Sequence, residues 1–450
     1  MDDCDTMAVM TETNESLWRA PFAAEPLDAT VTIPGSKSLS NRYLVLAAMG
    51  TKPVTLIGLL RSRDTELMMG ALEALGVSCV ADADDETTVV VTPPENGVFR
   101  GDSSVFCGLA GTVMRFVPAL ALYADGPVHF DGDKQAYQRP MGPLLEGLRQ
   151  LGARIDFEGE PGHLPFTLIP PEQAVGGSVS IDSSGSSQFI SGLLLGAPKL
   201  RGGLRLTHTG EHLPSLPHIR MTMADLGAAG ADVRMDGRTW TVAHGDVQLP
   251  QQVVVEPDLS NAAPFLGAAL IAGGTVRVPN WPEHTTQPGG LLPEYLEHMG
   301  ATITIEEMPN GARTLGVTSN GVIHGLGDFD LSAAGEIAPS LAALLVFADA
   351  PTSLTGIGHL RGHETNRLEA LVTEIRRVGG DADELADGIA IRPVASELLH
   401  GAVMETYADH RMATFAAMLG LRIRDIDVVN VETTRKTIPD FVGLWSSMLG

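Results

Sequence analysis

The sequence predicts an α/β (α+β) protein of two similar domains, on three observations. The chain has 450 residues, more than one hydrophobic core ordinarily organises, so two domains of roughly 200 residues each are expected. An amphipathic segment ending in an apolar residue and glycine, followed by a short strand-like run, recurs along its length. Between these segments lie helix-length runs that are apolar on every face and follow a polar lead, the mark of helices buried on all sides.

From the start, Met1 to Ser16 are acidic and lack a basic leader or a long apolar run, so they read as a flexible extension and not as a signal or transit peptide. The strand-like Ala29-Thr-Val-Thr-Ile33 then leads into Pro34-Gly35-Ser36-Lys37-Ser38-Leu39-Ser40-Asn41-Arg42. A helix start rich in Gly and Ser and carrying cations is an anion site, because its first N–H groups are unpaired and the dipole end is positive. It is not a P-loop, since Ser36 separates Gly35 from Lys37.

The recurring segment appears as Leu72-Glu-Ala-Leu-Gly76, Leu148-Arg-Gln-Leu-Gly152, Leu226-Gly-Ala-Ala-Gly230, Leu296-Glu-His-Met-Gly300, Ile375-Arg-Arg-Val-Gly379 and Trp445-Ser-Ser-Met-Leu-Gly450, at intervals of 70 to 79 residues. Each glycine suits a helix C′ position, where φ is positive. Six similar units follow, three to a domain. The sixth runs out of chain, so the strand-like run 29–33 is expected to complete it from the other end. The domains are then 35–257 and 17–34 plus 258–450, with an interdomain cleft as the default site.

The apolar runs are 113–124 after Gly108-Leu-Ala-Gly-Thr112, 189–195 after Ser183-Ser-Gly-Ser-Ser-Gln188, 262–272 after Asp258-Leu-Ser-Asn261 and 412–419 after Asp409-His-Arg411. They are too short to span a bilayer. Their leads place Arg115, Ser186, Ser187, Gln188 and Arg411 at helix starts, although Gly and Ser there are most often plain caps. Glu364 opens a helix expected over 365–378, and Glu336 precedes another apolar helix; two such carboxylates facing cations are able to divide acid and base work.

The net charge is -25, from 55 acidic and 30 basic residues. Such a field repels nucleic acid and anionic membrane. Small anionic substrates remain, held where the few cations gather; only five of those cations are lysines. Cys4, Cys79 and Cys107 are an odd number with no C-x-x-C spacing, which suggests neither a disulfide framework nor a zinc site and fits a reducing cytoplasm. No zinc spacing or magnesium-like acidic cluster occurs, and His363 and His410 read as hydrogen-bonding groups.

Seven motifs in order, Pro34 to Arg42, Leu109-Ala-Gly-Thr-Val-Met-Arg115, Gln138-Arg-Pro140, Ser186-Ser-Gln188, Glu364-Thr-Asn-Arg367, Asp409-His-Arg-Met412 and Arg435-Lys-Thr-Ile-Pro-Asp440, give a chain that resembles the enolpyruvyltransferases acting on shikimate 3-phosphate. The resemblance implies two domains of three βαβαββ units each, an inside-out α/β barrel. It implies addition of the 5-hydroxyl of shikimate 3-phosphate to phosphoenolpyruvate and loss of phosphate through a tetrahedral intermediate, in a monomer without metal or cofactor.

Carried over by motif, Lys37 would touch both substrates. Ser38, Arg42, Ser186, Ser187, Gln188, Ser215, Glu336 and His363 would bind shikimate 3-phosphate, and Gly111, Arg115, Arg139, Gln188, Arg367, Arg411 and Lys436 phosphoenolpyruvate. Glu336 would be the base and Glu364 the acid. Glu336 stands where the family usually has Asp, His363 where it has Lys, Leu109 where it has Asn and Phe116 where it has Pro. The sister enzyme acting on UDP-N-acetylglucosamine relies on a loop cysteine, and none lies between Gly108 and Arg139. An RNA 3′-phosphate cyclase fits the net charge poorly. A non-catalytic binding protein would not explain two carboxylates among the cations.

Overall fold

A computed structural model describes residues 16–308, 311–362 and 364–450. Residues 1–15 of the expected extension, with Cys4, and His363 lie outside the described residues. Among the described residues, five four-stranded sheets and one three-stranded sheet surround two hydrophobic cores.

One unit shows how the sequence makes each sheet. Ser103–Phe106 and Val128–Asp131 pair in parallel, joined by the apolar helix Gly111–Leu120. The helix Gly142–Gln150 then leads to the antiparallel hairpin Arg154–Phe157 and Phe166–Ile169. A parallel pair needs a crossover and the hairpin does not. The hairpin strands bury alternate residues, Ile155 beside exposed Arg154 and Asp156, and so cover the core with one face only. The same order runs from Gly177–Ile181 to Thr239–Val242 and from Gly327–Asp330 to Gly388–Arg392.

Two units are completed across the places where the chain changes core. Gln252–Val254 lies parallel to Val54–Ile57, and Leu27–Thr30 parallel to Gly274–Pro279. Between them the two crossing segments are bridged at Gly35 and Pro257. Ser36 N–H donates to Glu256 O at 2.8 Å and Asp258 N–H to Pro34 O at 2.9 Å. Gly35 is required there: a methyl would come within 2.1 Å of Gly58 O.

The expectation that 29–33 completes the sixth unit is corrected. Leu17–Arg19 does so, antiparallel to Asp427–Val429, whose other neighbour is Val403–Met404. A strand running straight into Pro34 ends beside Asp258, where the Leu259–Ala272 helix begins. It is therefore held next to the strand that follows that helix, and only the chain further upstream reaches the last sheet.

One core gathers residues from 20–33 and 259–448, around Phe265, Phe415, Phe441 and Trp445. The other gathers 39–255, around Phe99, Phe116, Phe130, Phe166, Phe189 and Trp240. Helices Lys37–Met49, Gly111–Leu120 and Gln188–Gly196 are sunk into the latter, and Leu259–Ala272, Ala338–Leu345 and His410–Gly420 into the former. The six repeat glycines all have φ between 85° and 101°, as the helix-end reading requires. Among the described residues no helix is long and apolar enough to cross a membrane.

Candidate active site

The polar leads bring the candidate residues to helix starts. Lys37, Gly111, Gln188 and Arg367 are each the first residue of a helix, and Arg411 is the second of His410–Gly420. Glu336 sits in the turn Gly335–Ile337 just before Ala338–Leu345. At each start the first N–H groups lack an acceptor within the helix, and the dipole end is positive.

Lys37 stands at the crossing of the two segments. Ser36 caps its helix, accepting from Leu39 N–H at 3.4 Å, and Lys37 N–H donates to Asp258 Oδ2 at 3.3 Å. Its ammonium is 3.8 Å from Asp64 Oδ2. Burial and repulsion from Lys436 push it below the usual lysine range.

On the 39–255 core, Gly111 faces three candidates at once. A methyl on it would lie 3.0 Å from Arg139 Nη2, 3.1 Å from Arg115 Nη1 and 3.2 Å from Gln188 Oε1. Arg115 donates to Gly111 O and Pro140 O at 3.4 and 3.2 Å, while its Nε is buried without a hydrogen-bond partner. Burial and neighbouring Arg139 lower its pKa to about 9. Arg139 donates to Leu109 O at 2.8 Å. Among the described residues neither arginine has a carboxylate within 4.0 Å. Two adjacent, mutually repelling guanidiniums at a helix start are a strong anion site.

Arg42 is sunk beside this cluster, its guanidinium 5.4 Å from the Phe116 ring. It donates from Nε to Thr222 Oγ1 at 2.8 Å, from Nη1 to Ser38 O at 2.9 Å and from Nη2 to His218 O at 3.0 Å. These bonds tie the first helix to Leu216–Ala228, whose cap is Ser215, held at φ 51° in the left-handed region. Ser186 Oγ accepts from Gln188 N–H at 3.2 Å, and Ser187 stands at the position before that helix without a side-chain cap bond.

On the other core, three cations and three carboxylates interlock. Arg367, 1% exposed, donates from Nε to Asp409 Oδ2 at 2.7 Å, from Nη2 to Glu364 Oε2 at 2.8 Å and from Nη1 to Glu336 Oε2 at 3.3 Å. Arg411 Nε is 3.0 Å from Glu336 Oε2, and Lys436 pairs with Glu364 Oε1. Burial pushes the Glu364 carboxyl up, but Lys436 and Arg367 outweigh it and hold the group well below the usual carboxylate range. The two sides meet electrostatically: Arg139 feels Glu364, and Lys37 feels both Lys436 and Glu364.

One sequence expectation changes. The helix expected over 365–378 spans Arg367–Arg377, because Asn366 takes the cap, so Glu364 lies on the turn before it. His410 has its Nδ1 buried without a hydrogen-bond partner, and burial and Arg411 push the imidazole well below its usual range.

Sequence reasoning missed Asp64, Asp258 and Asp409. Asp258 and Asp409 precede apolar runs and accept from Asn261 N–H and Arg411 N–H, which is an N-cap signal legible in sequence. Nothing local marks Asp64 as the neighbour of Lys37. Among the described residues no group of three or more potential ligands is placed to hold a metal ion.

Comparison with known proteins gives a consistent result. The family model for EPSP synthase (3-phosphoshikimate 1-carboxyvinyltransferase) matches residues 22–445. A 3-phosphoshikimate 1-carboxyvinyltransferase of Bifidobacterium longum strain DJO10A is 71% identical over 444 residues, covering 98% of this chain and 100% of that one. A protein of the same name from Kocuria rhizophila is 47% identical, covering 98% of each chain. The 2.37 Å structure of an EPSP synthase from Acinetobacter baumannii superposes with a TM-score of 0.81 at 26% identity, over 96% of this chain and 97% of that one.

Proposed function

The chain belongs to the EPSP synthase family, and from that premise we propose how its residues divide the work. The enzyme is a 3-phosphoshikimate 1-carboxyvinyltransferase of the shikimate pathway. It moves the enolpyruvyl group of phosphoenolpyruvate to the 5-hydroxyl of shikimate 3-phosphate and releases phosphate. The 5-oxygen bonds to C2 and gives up its proton while C3 takes one. The tetrahedral carbon then expels phosphate, and C3 returns a proton as the double bond re-forms.

The observation that carries the reading is the gathering, in a chain of net charge -25, of Arg367, Arg411 and Lys436 on Glu336 and Glu364 and of Arg115 and Arg139 around Gly111, with Arg139 feeling Glu364. In our reading Gly111, Arg115, Arg139, Arg367, Arg411 and Lys436 bind phosphoenolpyruvate. Ser38, Arg42, Ser186, Ser187 and Ser215 bind shikimate 3-phosphate, and Lys37 and Gln188 touch both. Holding two anions together replaces solvent with fixed cations and helix ends, and removes the entropy of bringing them together.

Glu336 is the base and Glu364 the acid. An acid must carry a proton, and Glu364 is held ionised by Lys436 and Arg367. Substrate phosphate and carboxylate compete for those same cations. As they take them over, the Glu364 carboxyl loses the charges that depress it and rises toward a protonatable range. Binding of the substrate thereby arms its own acid. The steps use side chains alone.

We read the two cores as two domains, 35–257 and 17–34 plus 258–450, in a cytoplasmic monomer. Phosphate release requiring both phosphoenolpyruvate and shikimate 3-phosphate tests the function. Turnover with UDP-N-acetylglucosamine in place of shikimate 3-phosphate would overturn it.

A further inference from the structure

Two residues in a row, Tyr407 and Ala408, hold φ of 53° and 54° immediately before Asp409. Neither is glycine, and the left-handed region is unfavourable for both. Such a pair persists only where the surroundings fix it. Packed against it is a carboxylate to which the proposed reaction gives no part.

Glu374 has a fully buried side chain on the helix Arg367–Arg377. It accepts from Tyr407 Oη–H at 2.8 Å, from Glu405 N–H at 3.2 Å and from Arg377 Nε at 3.2 Å. Glu374 lies seven residues after Arg367, close to two full turns, so both side chains leave one face of the helix. Arg367 grips Asp409 and Glu374 grips Glu405 and Tyr407. The helix therefore holds the segment 405–409 on both sides of Ala408, at Glu405 and Tyr407 and again at Asp409. Past Asp409 the chain enters His410–Gly420, which carries Arg411.

We propose that Glu374 is a positioning residue for the phosphoenolpyruvate side of the site. With Tyr407 it clamps the left-handed turn that sets Asp409 and Arg411 against Arg367 and Glu336. The proposal rests on the reading of Arg411 as a phosphoenolpyruvate ligand. A carboxylate suits the task because it accepts from two separate donors on the loop, whereas a glutamine offers one acceptor oxygen and a competing donor.

The test is steady-state kinetics on Glu374→Gln, Tyr407→Phe and Glu374→Gln combined with Ala408→Gly, with folding checked by thermal melting. Glu374→Gln is expected to raise KM for phosphoenolpyruvate about 10-fold, with KM for shikimate 3-phosphate changed less than about 2-fold, and Tyr407→Phe to shift it the same way by about 3-fold. Glycine at 408 removes part of the strain, so the double variant should recover at least half of the lost affinity. The proposal is overturned if both single variants leave that KM unchanged, if both substrates weaken equally, or if Ala408→Gly rescues nothing. Should Glu374→Gln fail to fold, Tyr407→Phe decides alone. A wild-type enzyme that phosphoenolpyruvate does not saturate would instead refute the function beneath the proposal.

Discussion

Replacing Asp409 with asparagine tests the buried ion cluster most directly. Asp409 is 0% exposed and accepts three bonds, from Arg367 Nε at 2.7 Å, from Arg367 Nη2 at 3.3 Å and from Arg411 N–H at 2.9 Å. Asparagine keeps one oxygen. If that oxygen stays on the helix cap, an amide NH2 faces the Nε–H of Arg367, donor against donor. One charge-assisted bond is lost, about 1.5–3 kcal/mol, and the guanidinium loses a counter-charge where solvent cannot replace it. Breaking a buried pair in this way costs about 3–5 kcal/mol. Glu364 and Glu336 still face Arg367, which places the expected loss near the lower end, about 3 kcal/mol. Urea unfolding followed by tryptophan fluorescence reads it, since Trp281 and Trp445 are buried in this core and Trp240 in the other. KM for phosphoenolpyruvate, measured on the folded variant, should rise with it. A loss below about 1 kcal/mol with unchanged KM would show that the two glutamates alone fix Arg367, and the cluster argument would fail.

Three further outcomes follow from the geometry. Gly111→Ala puts a methyl 3.0–3.2 Å from Arg139, Arg115 and Gln188 without straining the backbone; the melting temperature should hold while KM for phosphoenolpyruvate rises about 10-fold, near 1.4 kcal/mol. Glu336→Gln should lower kcat about 100-fold, the usual worth of a general base, with both KM values largely kept, as steady-state kinetics would show. Burial raises the Asp225 carboxyl to about 7, so the folded chain holds a proton that the unfolded chain releases near pH 4. Its contribution to stability is full below that pH and fades as pH climbs to about 7, by up to several kcal/mol. Urea midpoints of Asp225→Asn against wild type between pH 4.5 and 8 should therefore converge at the acid end and favour the variant at the alkaline end.

How much of this was legible in the sequence depends on how local each cause is. The helix ends were legible because one glycine and one apolar stripe suffice to mark them, and all six repeat glycines have the positive φ they were read to need. That a strand from the start of the chain completes the last unit was legible, but which strand does so was not, nor was the exchange at 252–254. Leu17–Arg19 and Gln252–Val254 are three residues each, too short for periodicity, and their partners are chosen by where neighbouring segments cross. In the site, cations at helix starts carried a local signal. That Arg139 and Glu364 influence each other is a product of tertiary structure, and no spacing along the chain encodes it. The partners of the cations, Asp64 and Asp409, were missed for the same reason: an acidic residue near a helix start is ordinarily only favourable to the dipole.

The strand exchange also sets a timetable for biosynthesis. Leu17–Arg19 and Leu27–Thr30 leave the ribosome first, yet their partners are Asp427–Val429 and Gly274–Pro279. At roughly 5–20 residues per second, the first strand waits on the order of 20–80 s for its neighbour to be made. The sheet containing Val54–Ile57 stays one strand short until Gln252–Val254 emerges, so the half made first finishes only as the second begins. Unpaired strand edges are templates for wrong pairing. The double crossing that joins the halves therefore also makes the nascent chain depend on protection of its own beginning until its end arrives.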